Sequence, residues 1–167
     1  MPTVSSVHYN REEQGVFADY VIVMGYDEHY VGGGVAGSNA SIDFVENGIV
    51  NTKESVPAEK IINAIPFYTR VWASGPDGLT ASTLTMSSQQ DWIERTGVTP
   101  VWMDEYCQNY AEYQSGDTVY QCWLEDVSSI QVKLQVMQCQ GIKGVASWKL
   151  GIEDPAVWDV ISAYVTQ

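Results

Sequence analysis

Basic charge is scarce in this sequence: 8 Lys and Arg stand against 21 Asp and Glu, a formal net charge of -13 at pH 7. Such a field repels a phosphate backbone, and no Lys/Arg cluster offsets it locally, so nucleic acid is excluded as a partner. No apolar run approaches the roughly 18 residues of a membrane span, which argues against membrane insertion. Cysteine is limited to Cys107, Cys122 and Cys139, too few for a disulfide scaffold and without a C-x-x-C pair. The spacing leaves open whether these thiols are buried and reduced or whether two of them form one bridge. His8 and His29 lie far apart, Gly32-Gly33-Gly34 has no following G-K-[S/T], and the other glycines form no dinucleotide fingerprint. The expectation is therefore no metal and no organic cofactor. The opening Met1-Pro2-Thr3-Val4-Ser5-Ser6 has no basic segment leading into an apolar run, so no signal peptide is read there.

What is present is a globular composition. The 167 residues are 45% hydrophobic and 17% charged, enough for one domain with a sizeable core. Tyr20-Val21-Ile22-Val23-Met24 is short, β-branched and bounded by Gly25, and reads as a strand buried on both faces. A glycine-rich loop from His29 to Ser38 follows, then a helical spacing over Ala40 to Ile49 with Ser38-Asn39 available as caps. Ile61 to Ile65 is a second compact strand, ended by Pro66. Strand, loop, helix, strand is the rhythm of a parallel sheet.

The stretch from Trp72 to Thr83 is rich in Gly, Ser and Pro and reads as irregular. Ser87 or Ser88 can cap a helix from Gln89 to about Arg95, stopped by Gly97. Pro100 to Tyr106 and Thr118 to Leu124 read as strands, completing a small α+β unit. Ser128 to Cys139 has Ile130, Leu134 and Met137 on one helical face, Gly144 to Trp148 is a strand, and Pro155 to Tyr164 a last helix.

Three strand ends carry the chemistry. Met24-Gly25-Tyr26-Asp27 places a hydroxyl and a carboxylate just past a buried strand, although Asp27 could also serve only to cap the next loop. Ile65-Pro66-Phe67-Tyr68-Thr69-Arg70 repeats the pattern; Phe67 reads as packing, while Tyr68 and Arg70 suit either packing or hydrogen bonding to sugar hydroxyls. Ser147-Trp148-Lys149-Leu150-Gly151 offers a large flat ring of the kind a pyranose needs as a floor.

In this order the three segments resemble glycoside hydrolase family 18, the chitinase-like enzymes, and most closely its bacterial spore-cortex and cell-wall lytic branch. Pro100-Val101-Trp102-Met103-Asp104-Glu105 and Val119 to Asp126 are similar to segments of the same branch, so the resemblance runs from about Asn10 to Tyr164. Ala64 stands where the family usually has glycine before I-P-F-Y. The resemblance implies an α/β fold, a partial (β/α)8 TIM barrel comprising about strands 6 to 8, with a small α+β insertion between strands 7 and 8. Residues 1–80 would supply strands 6 and 7, 81–127 the insertion, and 128–167 strand 8 with its helices.

The family's chemistry is retaining hydrolysis in which the substrate's own N-acetyl carbonyl is the nucleophile and a glutamic acid protonates the leaving oxygen, so the ordinary two-carboxylate scheme does not apply. Carried over residue by residue, Tyr26 would donate to the acetamido group, Asp27 would support that network, Trp148 would be the floor, and Tyr68 with Arg70 would line the cleft. The family's acid ends a D-x-x-D-x-D-x-E run on the fourth strand, and this sequence contains no such run. Asp91-Trp92-Ile93-Glu94 looks like its tail but lacks the preceding aspartates. Since the sixth strand begins near Tyr20, the fourth is expected to be missing outright rather than mutated. Asp104, Glu105, Glu125 and Asp126 read as solvated or capping residues, Glu28 and His29 as rim residues, and Glu153 and Asp154 as caps of the last helix.

The leading expectation is thus a C-terminal portion of an enzyme acting on β-1,4-linked N-acetylhexosamine oligosaccharides or polysaccharides, chitin or peptidoglycan, with the acid absent from the chain. The alternatives are a non-catalytic carbohydrate-binding protein, or a subunit completed by an upstream polypeptide or by self-association, since an open piece of barrel exposes strand edges and apolar faces. The sequence assigns no compartment; the parent's setting would be extracellular, cell-wall or spore-associated.

Overall fold

The computed structural model describes residues 10–142 and 144–166; the N-terminal segment inspected for a signal peptide, and His8 with it, lies outside the described residues. The elements in chain order are α1 (Arg11–Phe17), β1 (Val21–Met24), α2 (Ile42–Lys53), β2 (Ile61–Pro66), β3 (Tyr68–Gly75), β4 (Gly78–Thr85), α3 (Gln89–Thr96), β5 (Val101–Met103), β6 (Gln108–Ser115), β7 (Thr118–Leu124), α4 (Val127–Cys139), β8 (Gly144–Trp148) and α5 (Val157–Val165).

They form a mixed α/β architecture with two sheets. One is parallel, in the order β1-β2-β8, with Val21 opposite Ile61 and Pro66 opposite Trp148. Val21, Val23, Ile61 and Ile65 pack with Val45 and Ile49 of α2, Ile130, Leu134 and Met137 of α4, and Val157 and Ile161 of α5. The apolar spacing that marks α4 in the sequence is thus the face that meets the sheet. β1 departs from expectation: only Val21 and Val23 are buried, while Ile22 is 46% and Met24 37% exposed. Helices cover one face of this sheet, and alternation then leaves every second side chain of the edge strand on the open face.

The second sheet is antiparallel, in the order β4-β3-β7-β6-β5. The segment expected to be irregular, Trp72 to Thr83, lies in a regular hairpin of β3 and β4 with Tyr68 opposite Thr85 and Gly75 opposite Gly78. Its turn-forming residues are confined to the tip around Pro76 and Asp77, and the flanks pair along their whole length. β6, whose sequence Gln108 to Ser115 lacks an apolar run, is a further strand not anticipated. Val71, Leu84, Trp92, Ala111, Cys122 and Leu124 form the core of this half, with α3 on one face of the sheet. The antiparallel sheet includes β3 and β4 and so begins at Tyr68.

Helix ends follow capping chemistry. Ser41, not Ser38 or Asn39, caps α2, accepting the Phe44 N–H at 3.3 Å. Asp126 caps α4 in a reciprocal box: its carboxylate accepts the Ser129 N–H at 2.9 Å and the Ser129 hydroxyl accepts the Asp126 N–H at 3.0 Å. Gly97 ends α3 at φ 69°, a left-handed conformation that a Cβ disfavours. Asp154 accepts the Ala156 N–H at 2.9 Å, whereas Glu153 turns back to the Gly151 and Ile152 amides instead of capping α5.

Glu125 requires correction. Expected to be solvated or capping, it is fully buried and ion-paired with Lys133 at 3.0 Å, itself buried within α4. The next carboxylate, Asp126, takes the capping position instead, and Glu125 points into the junction between the antiparallel sheet and α4. Asp104 and Glu105 are exposed. All three cysteines are free: Cys122 is buried, Cys107 half-buried and Cys139 exposed. No helix among the described residues is long and apolar enough to cross a membrane, and no group of His, Cys, Asp and Glu among them is arranged to hold a metal ion.

Candidate functional site

The three parallel strands run in the same direction, so the segments that follow them gather at one end of the sheet. Gly25 leaves β1 with its N–H donated to the Ala64 carbonyl at 3.0 Å, and a Cβ at this position would stand 2.9 Å from that same oxygen and from the Asn63 side chain. This close approach sets the direction of Tyr26 and Asp27. Asp27 itself has φ 61°, rare for a residue with a side chain and found among turn and functional positions.

Asp27 is the hub of the site. Its Oδ1 accepts from the Tyr68 hydroxyl at 2.7 Å and from Arg70 Nη2 at 2.6 Å. Charge-assisted bonds of this length are the stronger kind. The Arg70 side chain is 14% exposed and that of Asp27 44%, so the carboxylate keeps an open side. Arg70 Nε also donates to the His29 carbonyl at 3.2 Å, and its guanidinium lies 5.8 Å from the Tyr68 ring centroid. The Tyr26 ring meets the Tyr68 ring edge-on, centroids 6.2 Å apart.

Burial, with the Asp27 carboxylate beside them, pushes both tyrosine hydroxyls above their ordinary range; for Tyr68 the hydrogen bond to Asp27 adds to the same direction. Both hydroxyls therefore stay protonated donors at neutral pH. Trp148, at the end of β8, is 56% exposed while its carbonyl accepts the Phe67 N–H at 2.8 Å, so an exposed aromatic ring sits on a hydrogen-bonded backbone. Its peptide to Lys149 is cis. Phe67 is fully buried against Trp158, ring centroids 5.9 Å apart, and contributes packing.

The arrangement bonds Asp27, Tyr68 and Arg70 into one cluster, with the Tyr26 ring packed edge-on against Tyr68 and Trp148 on the neighbouring strand end. Chemically it offers an anchored carboxylate, neutral hydroxyl donors, a guanidinium and a flat apolar ring. The contacts that hold the cluster were not read from the sequence, although His29 was expected at the rim and Asn39 as a cap. Asn39 Nδ2 donates to the Tyr68 carbonyl at 3.1 Å, Trp72 Nε1 to the Gly37 carbonyl at 2.8 Å, and His29 Nδ1 to the Ser38 carbonyl at 2.8 Å. Glu28, expected at the rim, instead accepts from the Ser41 N–H at 2.7 Å and hydroxyl at 3.0 Å, fixing the start of α2. No spacing rule signals contacts across tens of residues.

A family model described as Glycosyl hydrolases family 18 matches residues 3–153. The chain belongs to this family. It is 26% identical over 154 residues to the uncharacterized glycosylase YvbX of Bacillus subtilis (strain 168), a match covering 92% of the chain and 44% of that relative. It is 25% identical over 156 residues to the cortical fragment-lytic enzyme of Bacillus anthracis, covering 92% of the chain and 36% of that enzyme, so the relatives reach into the spore-cortex branch. Among solved structures, the chitinase from Chromobacterium violaceum ATCC 12472 superposes with a TM-score of 0.87 at 27% identity, covering all of this chain and 54% of that one. The chain thus spans less than half the length of these two curated relatives.

Proposed function

We propose that this family 18 chain is the C-terminal part of a glycosidase for β-1,4-linked N-acetylhexosamine polymers, chitin or peptidoglycan, cleaved with retention through the substrate's acetamido group. The observation that carries this reading is the convergence of Tyr26, Asp27, Tyr68 and Arg70, with Trp148 beside them, at one end of one parallel sheet. In it, Trp148 is the floor under the sugar. Tyr26 donates to the acetamido oxygen as charge develops, and Asp27, held by Tyr68 and Arg70, orients that group. The proton donor would come from a D-x-x-D-x-D-x-E run, which the 167 residues do not contain.

The parallel sheet is read as strands 6, 7 and 8 of a (β/α)8 barrel, with residues 68–126 as the insertion between the last two. Helices cover one face of the sheet, and the exposed Ile22 and Met24 would face the barrel interior. That exposed face favours a second reading, in which an upstream polypeptide or a second copy completes the barrel. A non-catalytic sugar-binding role keeps the same site without turnover.

The test is titration with N-acetylchitotetraose and turnover of a reporter conjugate by the chain, alone and together with the polypeptide encoded upstream. Binding without turnover is expected from the chain alone, weakened by Trp148→Ala, and turnover is expected once the acid is supplied. Robust turnover by the 167 residues alone would refute the absence of the acid, and unchanged affinity in Trp148→Ala would remove the floor.

A further inference from the structure

Away from the sugar-facing cluster, the molecule buries an ion pair that the proposed chemistry does not use. Lys133 Nζ donates to Glu125 Oε2 at 3.0 Å, and the other carboxylate oxygen, Oε1, accepts from Gln108 Nε2 at 2.7 Å. Gln108 Oε1 in turn accepts the Ser38 hydroxyl at 2.5 Å. Glu125, Gln108 and Ser38 are fully buried and Lys133 is 1% exposed, so each bond is shielded from competing water.

The chain of bonds does not stop at Ser38. The Ser38 carbonyl accepts from His29 Nδ1, the His29 carbonyl accepts from Arg70 Nε, and Arg70 Nη2 holds Asp27. The His29 ring is also wedged on Gly37, where an added Cβ would lie 2.6 Å from the ring atoms. A loop rich in glycine, which costs more entropy to order than most, is therefore tied at its far end to a buried charge pair across two other elements.

We propose that Ser38 and Gln108 are positioning residues of the sugar site, transmitting the fixed Glu125–Lys133 anchor through His29 to Arg70 so that the guanidinium is held on Asp27. The sugar arm of the test rests on the function proposed above; the spectroscopic arm does not. A purely structural role would lower stability and leave Arg70 where it is.

The experiment uses the whole chain with Ser38→Ala, which removes one oxygen, Ser38→Thr, which keeps the hydroxyl, and Gln108→Met, which keeps the volume. Proton–nitrogen NMR reads the Arg70 Nε–H resonance and its exchange rate, and the tautomer of the His29 ring. In Ser38→Ala and Gln108→Met, the Arg70 Nε–H is expected to shift and exchange faster and His29 to lose its Nδ1–H preference, with Ser38→Thr restoring both. N-acetylchitotetraose Kd is expected to rise about tenfold in Ser38→Ala, the equivalent of roughly one lost hydrogen bond, and not to rise further when Ser38→Ala is added to Arg70→Met. An Arg70 Nε–H and a His29 tautomer unmoved by a folded Ser38→Ala would overturn the proposal. So would effects of Ser38→Ala and Arg70→Met that simply add. If the unaltered chain fails to bind the oligosaccharide, the sugar reading falls, and the NMR arm still decides the positioning.

Discussion

Removing Lys133 should damage the protein far more than removing both members of its ion pair. Its ammonium is 3.0 Å from Glu125 Oε2, with side-chain exposures of 1% and 0%, so Lys133→Met strands a carboxylate in the interior. The cost of an uncompensated buried charge is about 3–5 kcal/mol. For a chain of 167 residues, with each kcal/mol worth roughly 2–4 °C, this lowers Tm by about 6–20 °C. Adding Glu125→Leu to Lys133→Met should recover most of the loss, because each donor has a second acceptor: Gln108 Nε2 reaches the Leu124 carbonyl at 3.3 Å and the Ser129 hydroxyl reaches the Asp126 carbonyl at 3.0 Å. The deficit must also depend on pH. Burial pushes the Glu125 carboxyl from 4.5 up to about 7, against the downward pull of Lys133 and Ser129. The folded state therefore holds this proton better than the unfolded chain, and stability falls as pH rises through that window. Without Lys133 the folded value climbs further, so the Lys133→Met deficit should be large at pH 8 and much smaller at pH 5. Urea unfolding followed by tryptophan fluorescence at both pH values, on all four members of the cycle, measures this. A Lys133→Met deficit below about 1 kcal/mol at pH 8, or equal at both pH values, would refute the buried-pair reasoning.

Two other expectations follow from local geometry. Gly25→Ala would push a methyl to 2.9 Å from the Ala64 carbonyl and the Asn63 side chain, and should cost about 1–3 kcal/mol by overpacking; an unchanged urea midpoint would show that β1 and β2 can separate freely. In a native thiol titration with a disulfide reagent, Cys139 should react first, Cys107 more slowly and Cys122 only on unfolding, and simultaneous reaction of all three in the folded chain would contradict their different exposures.

The parallel half of the fold was legible because its strands are apolar runs and its helices have one apolar face. Ile61 to Pro66 and Gly144 to Trp148 lie where short β-branched or small-residue runs put them, and Ile130, Leu134 and Met137 are buried as their spacing requires. The antiparallel half was less legible because its cohesion is pairing rather than composition. Gln108 to Ser115 holds its place by cross-strand register with β7, and its first residue is a buried glutamine whose reason for burial, Glu125, is distant in sequence. Glu125 itself was misread for the same reason. Its local signal, an acidic pair before a helix, is a capping signal that Asp126 satisfies, and nothing local marks Lys133 as a partner on the following helix. Of the proposed site, the strand ends suggested Tyr26, Asp27, Tyr68, Arg70 and Trp148 as candidates, but not that Asp27 would accept from two of the others.

The site's position has a cause in how the two sheets are joined. β2 ends at Pro66 and β3 begins at Tyr68, so Phe67 alone carries the chain from the parallel sheet into the antiparallel one. Its N–H binds the Trp148 carbonyl and its carbonyl accepts the Met86 N–H at 2.9 Å, which stitches β8 and the residue after β4 to the same point. A fully buried ring keeps that junction from pivoting. Tyr68 and Arg70 are therefore presented by the first residues of a long antiparallel strand, while Asp27 and Trp148 are presented by the ends of parallel ones. The bonds from Tyr68 and Arg70 to Asp27 then span the two sheets rather than lying within either. It follows that the relative angle of the sheets sets the geometry of the cluster. A substitution at Phe67, which is fully buried and outside the proposed site, should disturb the Tyr68–Asp27–Arg70 cluster as much as one at its rim.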